Sequence, residues 1–271
     1  MVLLPLVFII TITVLTVLYA CGLDLSVYDY DTINTNNILQ APCWAHWMGT
    51  DALGRDLFIR IIHGAKMSLA IAFLTALITF FIGTALGLLA GFKGSWLDEI
   101  IIKFIDFLYS LPDLLVLSLV ALFVSRSTTG IVLGLAFINW MDLARIVRAE
   151  TKKYKHEDFV EAAQVMGLSD LQIVLKHILP NISSSIIVAL SFTVPRSIIA
   201  ESTLSFIGLG ISPPNTSWGT LAGDAWQFLR SDPHLIFFPA LMIFLTVYCF
   251  NNLGDRLRDY LSPQKAGEHL L

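Results

Sequence analysis

Long uncharged runs alternate with short polar breaks along the chain, and that alternation sets the expected architecture. Residues 2–21 are twenty positions without a charge, and at about 1.5 Å rise per residue they cross a hydrocarbon layer of roughly 30 Å as a helix. Further apolar runs occupy 68–92, 104–124, 130–146, 182–210 and 234–250, which predicts six membrane-crossing helices. Pro112 and Asp113 weaken the start of the third run, so it begins either before or after Pro112. In the second run Gly83, Gly87 and Gly91 recur every four residues, leaving one helix face open to close approach by a neighbour. Pro195 is expected to kink the fifth run.

The polar breaks carry their own pattern. Residues 22–66 hold Asp, Asn and Pro clusters with Trp44 and Trp47, as a segment at an outer membrane interface would. Within it, 49–62 reads as a turn leading into a short amphipathic helix. Residues 94–106 are short and charged, 125–129 a tight outer loop, and 211–233 an outer loop with Pro213, Pro214, Trp218 and Trp226. Between the fourth and fifth runs lies the longest stretch of soluble-protein character. There Phe159, Ala163 and Met166 fall at i, i+4, i+7 and predict one short helix, with His156, Glu157, Asp158, Glu161 and Gln164 facing water. Gly167 suits a left-handed C-terminal residue, and Ser169 with Gln172 has the spacing of a capping box. Leu171, Val174, Leu175 and Ile178 stripe a second helix, which Pro180 is expected to interrupt. On its own this helix-turn-helix is either an interaction element or an amphipathic hairpin lying flat on a membrane.

Composition narrows the class. The 271 residues are 56% hydrophobic and 14% charged, against about 25% charged in soluble domains, and the mean hydropathy is +0.74. The formal charge of −4, with no long basic run, argues against nucleic acid as a partner. Cys21, Cys43 and Cys249 are widely spaced packing residues rather than a disulfide framework or metal cluster. Leu18-Tyr19-Ala20-Cys21 hints at a lipoprotein cleavage box, but the long apolar run without preceding basic residues favours a retained helix. Lys93, Lys103, Arg145, Arg148, Lys152, Lys153, Lys155, Lys176, Arg256, Arg258 and Lys265 lie in segments placed inside, against Arg55, Arg60, Lys66, Arg126 and Arg230 outside. This asymmetry puts both termini and the hairpin in the cytoplasm.

Buried charge marks candidate chemistry. Arg196 and Glu201 are the charges within the fifth run, and each would cost about 2.5–3.5 kcal/mol or more facing lipid. They are expected to face the helix bundle or a water-filled path. Their spacing of five is poor for an intrahelical pair, which favours partners on other elements. Asn139, Trp140 and Asp142 on the fourth run are further candidates.

Glu161-Ala162-Ala163, Gly167 beyond it and Leu179-Pro180 after a fixed gap resemble the "EAA" loop of the membrane subunits of bacterial ATP-binding-cassette (ABC) importers. Three further segments are similar to the dipeptide, oligopeptide and nickel branch of that family. They are Gly49-Thr50-Asp51 with Gly54-Arg55-Asp56, the stretch from Ala200-Glu201 through Leu204-Ser205-Phe206 to Pro213-Pro214 and Trp218-Gly219, and Gly254-Asp255 with Arg258-Asp259. The chain departs from the family in having apolar residues directly after Met1. That points to a weakly oriented first helix or a misassigned start.

The resemblance implies an all-α integral membrane protein of the ABC importer permease (MetI-like) fold, with a cytoplasmic coupling loop. It would divide into 1–66, a permease core 67–253 containing the loop 150–181, and a cytoplasmic tail 254–271. Glu161, Ala162, Ala163, Gly167, Leu179 and Pro180 would couple to the ATPase, with Arg196, Glu201, Asn139 and Asp142 along the path. Partners would be a homologous second permease, two ATPase subunits, an extracytoplasmic binding protein and membrane lipid, in a bacterial inner membrane. ATP and magnesium are expected on the ATPase chains, since no Gly-x4-Gly-Lys-Ser/Thr run occurs here; no cofactor and no catalysis are expected in this chain. Short peptides are the expected cargo, with nickel or a metal chelate as the alternative. An intramembrane enzyme would need a nucleophile and base, or metal ligands, meeting within the spans. The six His residues are scattered without a His-Glu-x-x-His motif, so that class is remote, as is a stand-alone secondary transporter.

Overall fold

The computed structural model describes residues 3–21, 28–124 and 127–261. Residues 22–27 of the expected outer segment, Arg126 in the outer loop, Lys265 and positions 262–271 of the tail fall outside the described residues. Among the described residues ten α-helices follow in order: α1 Leu3–Ala20, α2 Leu57–Lys93, α3 Ser95–Tyr109, α4 Asp113–Val124, α5 Thr128–Tyr154, α6 Asp158–Val165, α7 Asp170–Ile173, α8 Leu179–Phe206, α9 Trp218–Ala225 and α10 His234–Leu261. The β-pairing among the described residues is the isolated bridge between Thr50 and Asp56. Helices α2, α5, α10 and the α7–α8 run Asp170–Phe206 are each long and apolar enough to cross a membrane. The α3–α4 pair adds a fifth span if taken as one, and α1 supplies a shorter apolar stretch, Val7–Tyr19.

Two expectations need correcting. The third run is not a single helix over 104–124: α3 ends at Tyr109 and α4 begins at Asp113, directly after Pro112. Proline disfavours helical backbone at the residue before it, which makes Leu111 a favoured place for the break. Nor is 49–62 a turn leading into a separate short helix, because Leu57 opens α2, which runs unbroken to Lys93. The turn itself is fixed by Asp51, whose carboxylate accepts from the Leu53 and Arg55 backbone N–H groups at 2.8 and 3.0 Å.

The chain forms two compact units, and α2, α5, α8 and α10 each contribute to both. The first comprises Met1–Leu74, Val116–Leu135 and Pro195–Phe250. Its centre is Trp218, fully buried, whose indole Nε1 donates to Ile61 O at 3.1 Å and whose backbone N–H donates to Ser68 Oγ at 3.2 Å. Beside it, a Cβ on Gly219 would sit 2.5 Å from Ser202 Cα. Small residues here let α9 lie directly against α8.

The second unit comprises Thr75–Leu115, Ala136–Val194 and Asn251–Leu271. The glycine face of α2 packs on α5 as its spacing predicts. A Cβ on Gly83, Gly87 or Gly91 would lie 2.9 Å from Leu143 Cβ, 2.7 Å from Ala144 O and 2.6 Å from Thr151 Cβ respectively. Helix α3 is held to α5 by polar contacts: Arg148 Nη2 and Lys152 Nζ donate to Asp98 at 2.9 and 2.5 Å, Arg145 pairs with Asp106, and the Tyr109 hydroxyl donates to Asp142. Gly87→Ala is expected to destabilise this unit by about 1–3 kcal/mol, the usual cost of overpacking against backbone that cannot move aside. Thermal unfolding of the purified protein in detergent would register it as a lower midpoint, whereas an unchanged midpoint would mean the two helices do not bear on each other there.

Candidate functional site

The polar stretch after α5 folds as a helical hairpin within the second unit. Gly167 adopts φ +79° and ends the first arm, and a Cβ there would meet nothing within 4 Å. The turn therefore needs glycine for backbone conformation and not for space. Ser169 caps the second arm: its hydroxyl accepts from the Gln172 backbone N–H, and the Gln172 side chain accepts in return from the Ser169 N–H at 3.0 Å. Leu168 N–H closes the turn on Ala163 O at 3.2 Å.

The second arm does not stop at Pro180. Helix α7 passes through a π-helical turn, Val174–Ile178, directly into α8, with Leu179 N–H donating to Val174 O. A proline lacks the donor for the helical ladder and crowds the carbonyl four residues back, and the wider turn just before it relieves both demands. The hairpin is thus continuous with a long apolar helix, and Pro195 likewise lies inside α8.

The buried face also differs from the expected stripe. Val160, Ala163, Ile173, Ile178, Ile182 and Ile186 form one core with Leu88 and Phe92 of α2 and Leu143 and Val147 of α5. Leu171, Leu175 and Met166, read as stripe residues, point outward at 67%, 49% and 70% exposure, joined by Val165 at 89%. The π-helical turn lets Ile173 and Ile178, five residues apart, share one buried face, which simple i, i+3, i+4 counting does not register. The hairpin therefore has an inner face packed on α2 and α5 and, on both arms, exposed apolar residues among polar ones. Glu161, Ala162 and Pro180 are exposed and Leu179 is half-buried. Lys93 Nζ, at the end of α2, reaches Asp170 in the second arm at 2.9 Å.

The other predicted residues fall in different units. In the first unit Glu201 is fully buried; its Oε1 accepts from Ser205 Oγ at 2.7 Å and from Ser217 Oγ at 2.6 Å, while Oε2 has no hydrogen-bond partner among the described residues. Ser217 is the N-cap of α9, so Glu201 ties α8 to α9. Arg196, five residues earlier, is exposed. In the second unit Asn139 is buried and Asp142, half-buried, takes the Tyr109 hydroxyl.

Sequence reading passed over a group in the first unit. Arg60, 3% exposed, and Arg55 converge on Asp51, at 3.4 Å from Arg60 Nε and 2.7 Å from Arg55 Nε. Two cavities of about 220 and 190 Å³ share Arg55, Arg60 and Asp224 on their walls. The signal was present in the spacing Asp51, Arg55, Arg60, but Asp224 lies far along the chain. Cys21, Cys43 and Cys249 are all free thiols, and among the described residues no group of three or more His, Cys, Asp or Glu comes together to hold a metal.

Comparison with known proteins gives a consistent result. Residues 83–266 match the model of the family described as the binding-protein-dependent transport system inner membrane component. The chain is 39% identical over 237 residues to the oligopeptide transport system permease protein OppC of Bacillus subtilis (strain 168), covering 88% of this chain and 78% of the relative. It is 43% identical over 224 residues to the dipeptide transport system permease protein DppC of the same organism, covering 82% and 70%. To the glutathione transport system permease protein GsiD of Pectobacterium atrosepticum it is 41% identical over 237 residues, covering 88% and 77%. Among solved structures, an inward-facing MetNI methionine ABC transporter aligns with TM-score 0.61 at 20% identity, over 76% of this chain and 96% of that one, a likeness of fold.

Proposed function

We propose, for a chain that belongs to the family of binding-protein-dependent transport system inner membrane components, that it forms half of the membrane path of an ATP-driven importer of di- and oligopeptides. A homologous second permease supplies the other half. An extracytoplasmic binding protein delivers cargo, and two ATPase subunits dock on the hairpin 161–180, which lies with both termini on the cytoplasmic side. ATP binding and hydrolysis, with magnesium, fall to those subunits, and this chain performs no bond chemistry.

The observation that carries the reading is the hairpin: an inner face rooted on α2 and α5, with Val165, Met166, Leu171 and Leu175 exposed on its outer side. A hairpin lying passively on lipid needs no such root. A docked one does, because movement of the ATPase subunits reaches the spans only through a stiff connection, and the direct passage of α7 into α8 provides one. Peptide cargo is supported by the oligopeptide, dipeptide and glutathione relatives; nickel or a metal chelate, the alternative open from sequence, is not favoured by them.

Reconstituting the complete importer in proteoliposomes tests this. Uptake of labelled di- and tripeptides should require ATP, the binding protein and both permeases. Uptake without the ATPase subunits would overturn the reading.

A further inference from the structure

We infer that the paired cavities walled by Arg55, Arg60 and Asp224 form a subsite for a small zwitterion, with the arginines taking a carboxylate and Asp224 an ammonium. The inference rests on the peptide reading above for its physiological cargo, but the cavity itself argues for the ligand class.

Arg60 is 97% removed from solvent by its 3% exposure, yet a guanidinium carries five N–H donors. Its hydrogen bond among the described residues is one long contact, Nη1 to Tyr30 O at 3.4 Å. Nε has none, since its 3.4 Å approach to Asp51 is an ion pair without hydrogen-bond geometry. A buried arginine with unused donors on a cavity wall is suited to a planar two-oxygen acceptor, which it can take in a bidentate manner. Arg55 adds a second guanidinium to both cavity walls.

Asp224 lines both cavities, yet it forms no ion pair with either arginine among the described residues. Asp51, on the wall of the larger cavity, already pairs with both arginines, whereas Asp224 stands apart from them, so a ligand bearing both charges can set its ammonium at Asp224 and its carboxylate at the donors of Arg60 that Asp51 leaves unused. Gly208, Gly210, Pro213 and Pro214 form part of the wall of the smaller cavity and offer no competing charge. At about 220 and 190 Å³ the cavities suit an amino acid or the terminal part of a short peptide.

The test uses the purified permease–ATPase complex in nanodiscs without the binding protein, with calorimetric titration of alanylalanine, its N-acetyl derivative and its C-terminal amide. The wild type should bind alanylalanine more tightly than either blocked form. Arg60→Gln should weaken alanylalanine by at least about 10-fold while leaving the amide unchanged, because the lost contact is a charge-assisted hydrogen bond to the carboxylate. Asp224→Asn should do the same with the N-acetyl form as the unaffected probe. If Arg60→Gln does not assemble, Arg55→Gln, at the more open arginine, takes its place. Absence of wild-type binding, or equal loss of all three probes in the variants, overturns the subsite. Uptake by the whole importer is a separate readout, so peptide transport without this probe pattern removes the subsite and leaves the transport reading standing.

Discussion

Leu171→Asp is expected to abolish capture of the ATPase subunits from membranes while leaving the amount and melting of the permease unchanged. Leu171 is 67% exposed and lies outside the hairpin's core, so the fold loses little when it becomes polar; exposed substitutions of this kind usually stay within about 0.5 kcal/mol. In a docked complex the same carboxylate would be buried without a partner, at a cost of about 2–5 kcal/mol. That corresponds to a loss of at least about 30-fold in affinity. Two companions separate docking from folding. Ile173→Asp puts the charge into the core shared with Phe92 and Val147 and should unfold the hairpin outright. Gly167→Ala meets no neighbour and imposes only left-handed strain, about 1–2 kcal/mol, so it should weaken capture only partly. Retention of ATPase by Leu171→Asp at wild-type levels would remove this face as the docking surface.

The hairpin also marks the limit of what the sequence discloses. Its turn was legible because Gly167, Ser169 and Gln172 act locally, each through its own backbone. The glycine face of α2 was legible for a similar reason: a four-residue repeat of small side chains has few uses other than close approach. The buried face of the second arm was not, since a π-helical turn changes the phase and no residue type announces one. The break at 110–112 was half legible, because Pro112 forbids a smooth passage without saying where the helices end. The cavity group was hidden by separation: Arg55 and Arg60 are near in sequence, while Asp224 joins them only through the fold. Glu201 was correctly isolated as a costly charge, but its partner Ser217, sixteen residues on, is an ordinary serine whose role as α9 N-cap appears only with the fold.

Glu201→Ala should cost the first unit about 3–5 kcal/mol of stability. It removes the acceptor from two buried hydroxyls, each costing about 1–3 kcal/mol when left unsatisfied, and it opens a cavity in a packed site. Some of that is recovered, because Ser217 Oγ still serves as acceptor for the Thr220 N–H at 3.1 Å and its hydroxyl can turn toward Thr220 Oγ1 at 3.4 Å. Glu201→Gln keeps an oxygen where Oε1 accepts both hydroxyls and should melt close to the wild type. The pair of variants therefore separates an anchor from a charge. If Ala destabilises and Gln does not, and both retain uptake in proportion to folded protein, Glu201 acts by tying α8 to the start of α9. If Gln stays folded yet uptake falls, the negative charge itself is needed, and the path role expected from sequence returns despite complete burial. Ala and Gln variants that both melt with the wild type would show that the two serine hydroxyls do not depend on this carboxylate, leaving the link between α8 and α9 to close packing such as that of Gly219 on Ser202.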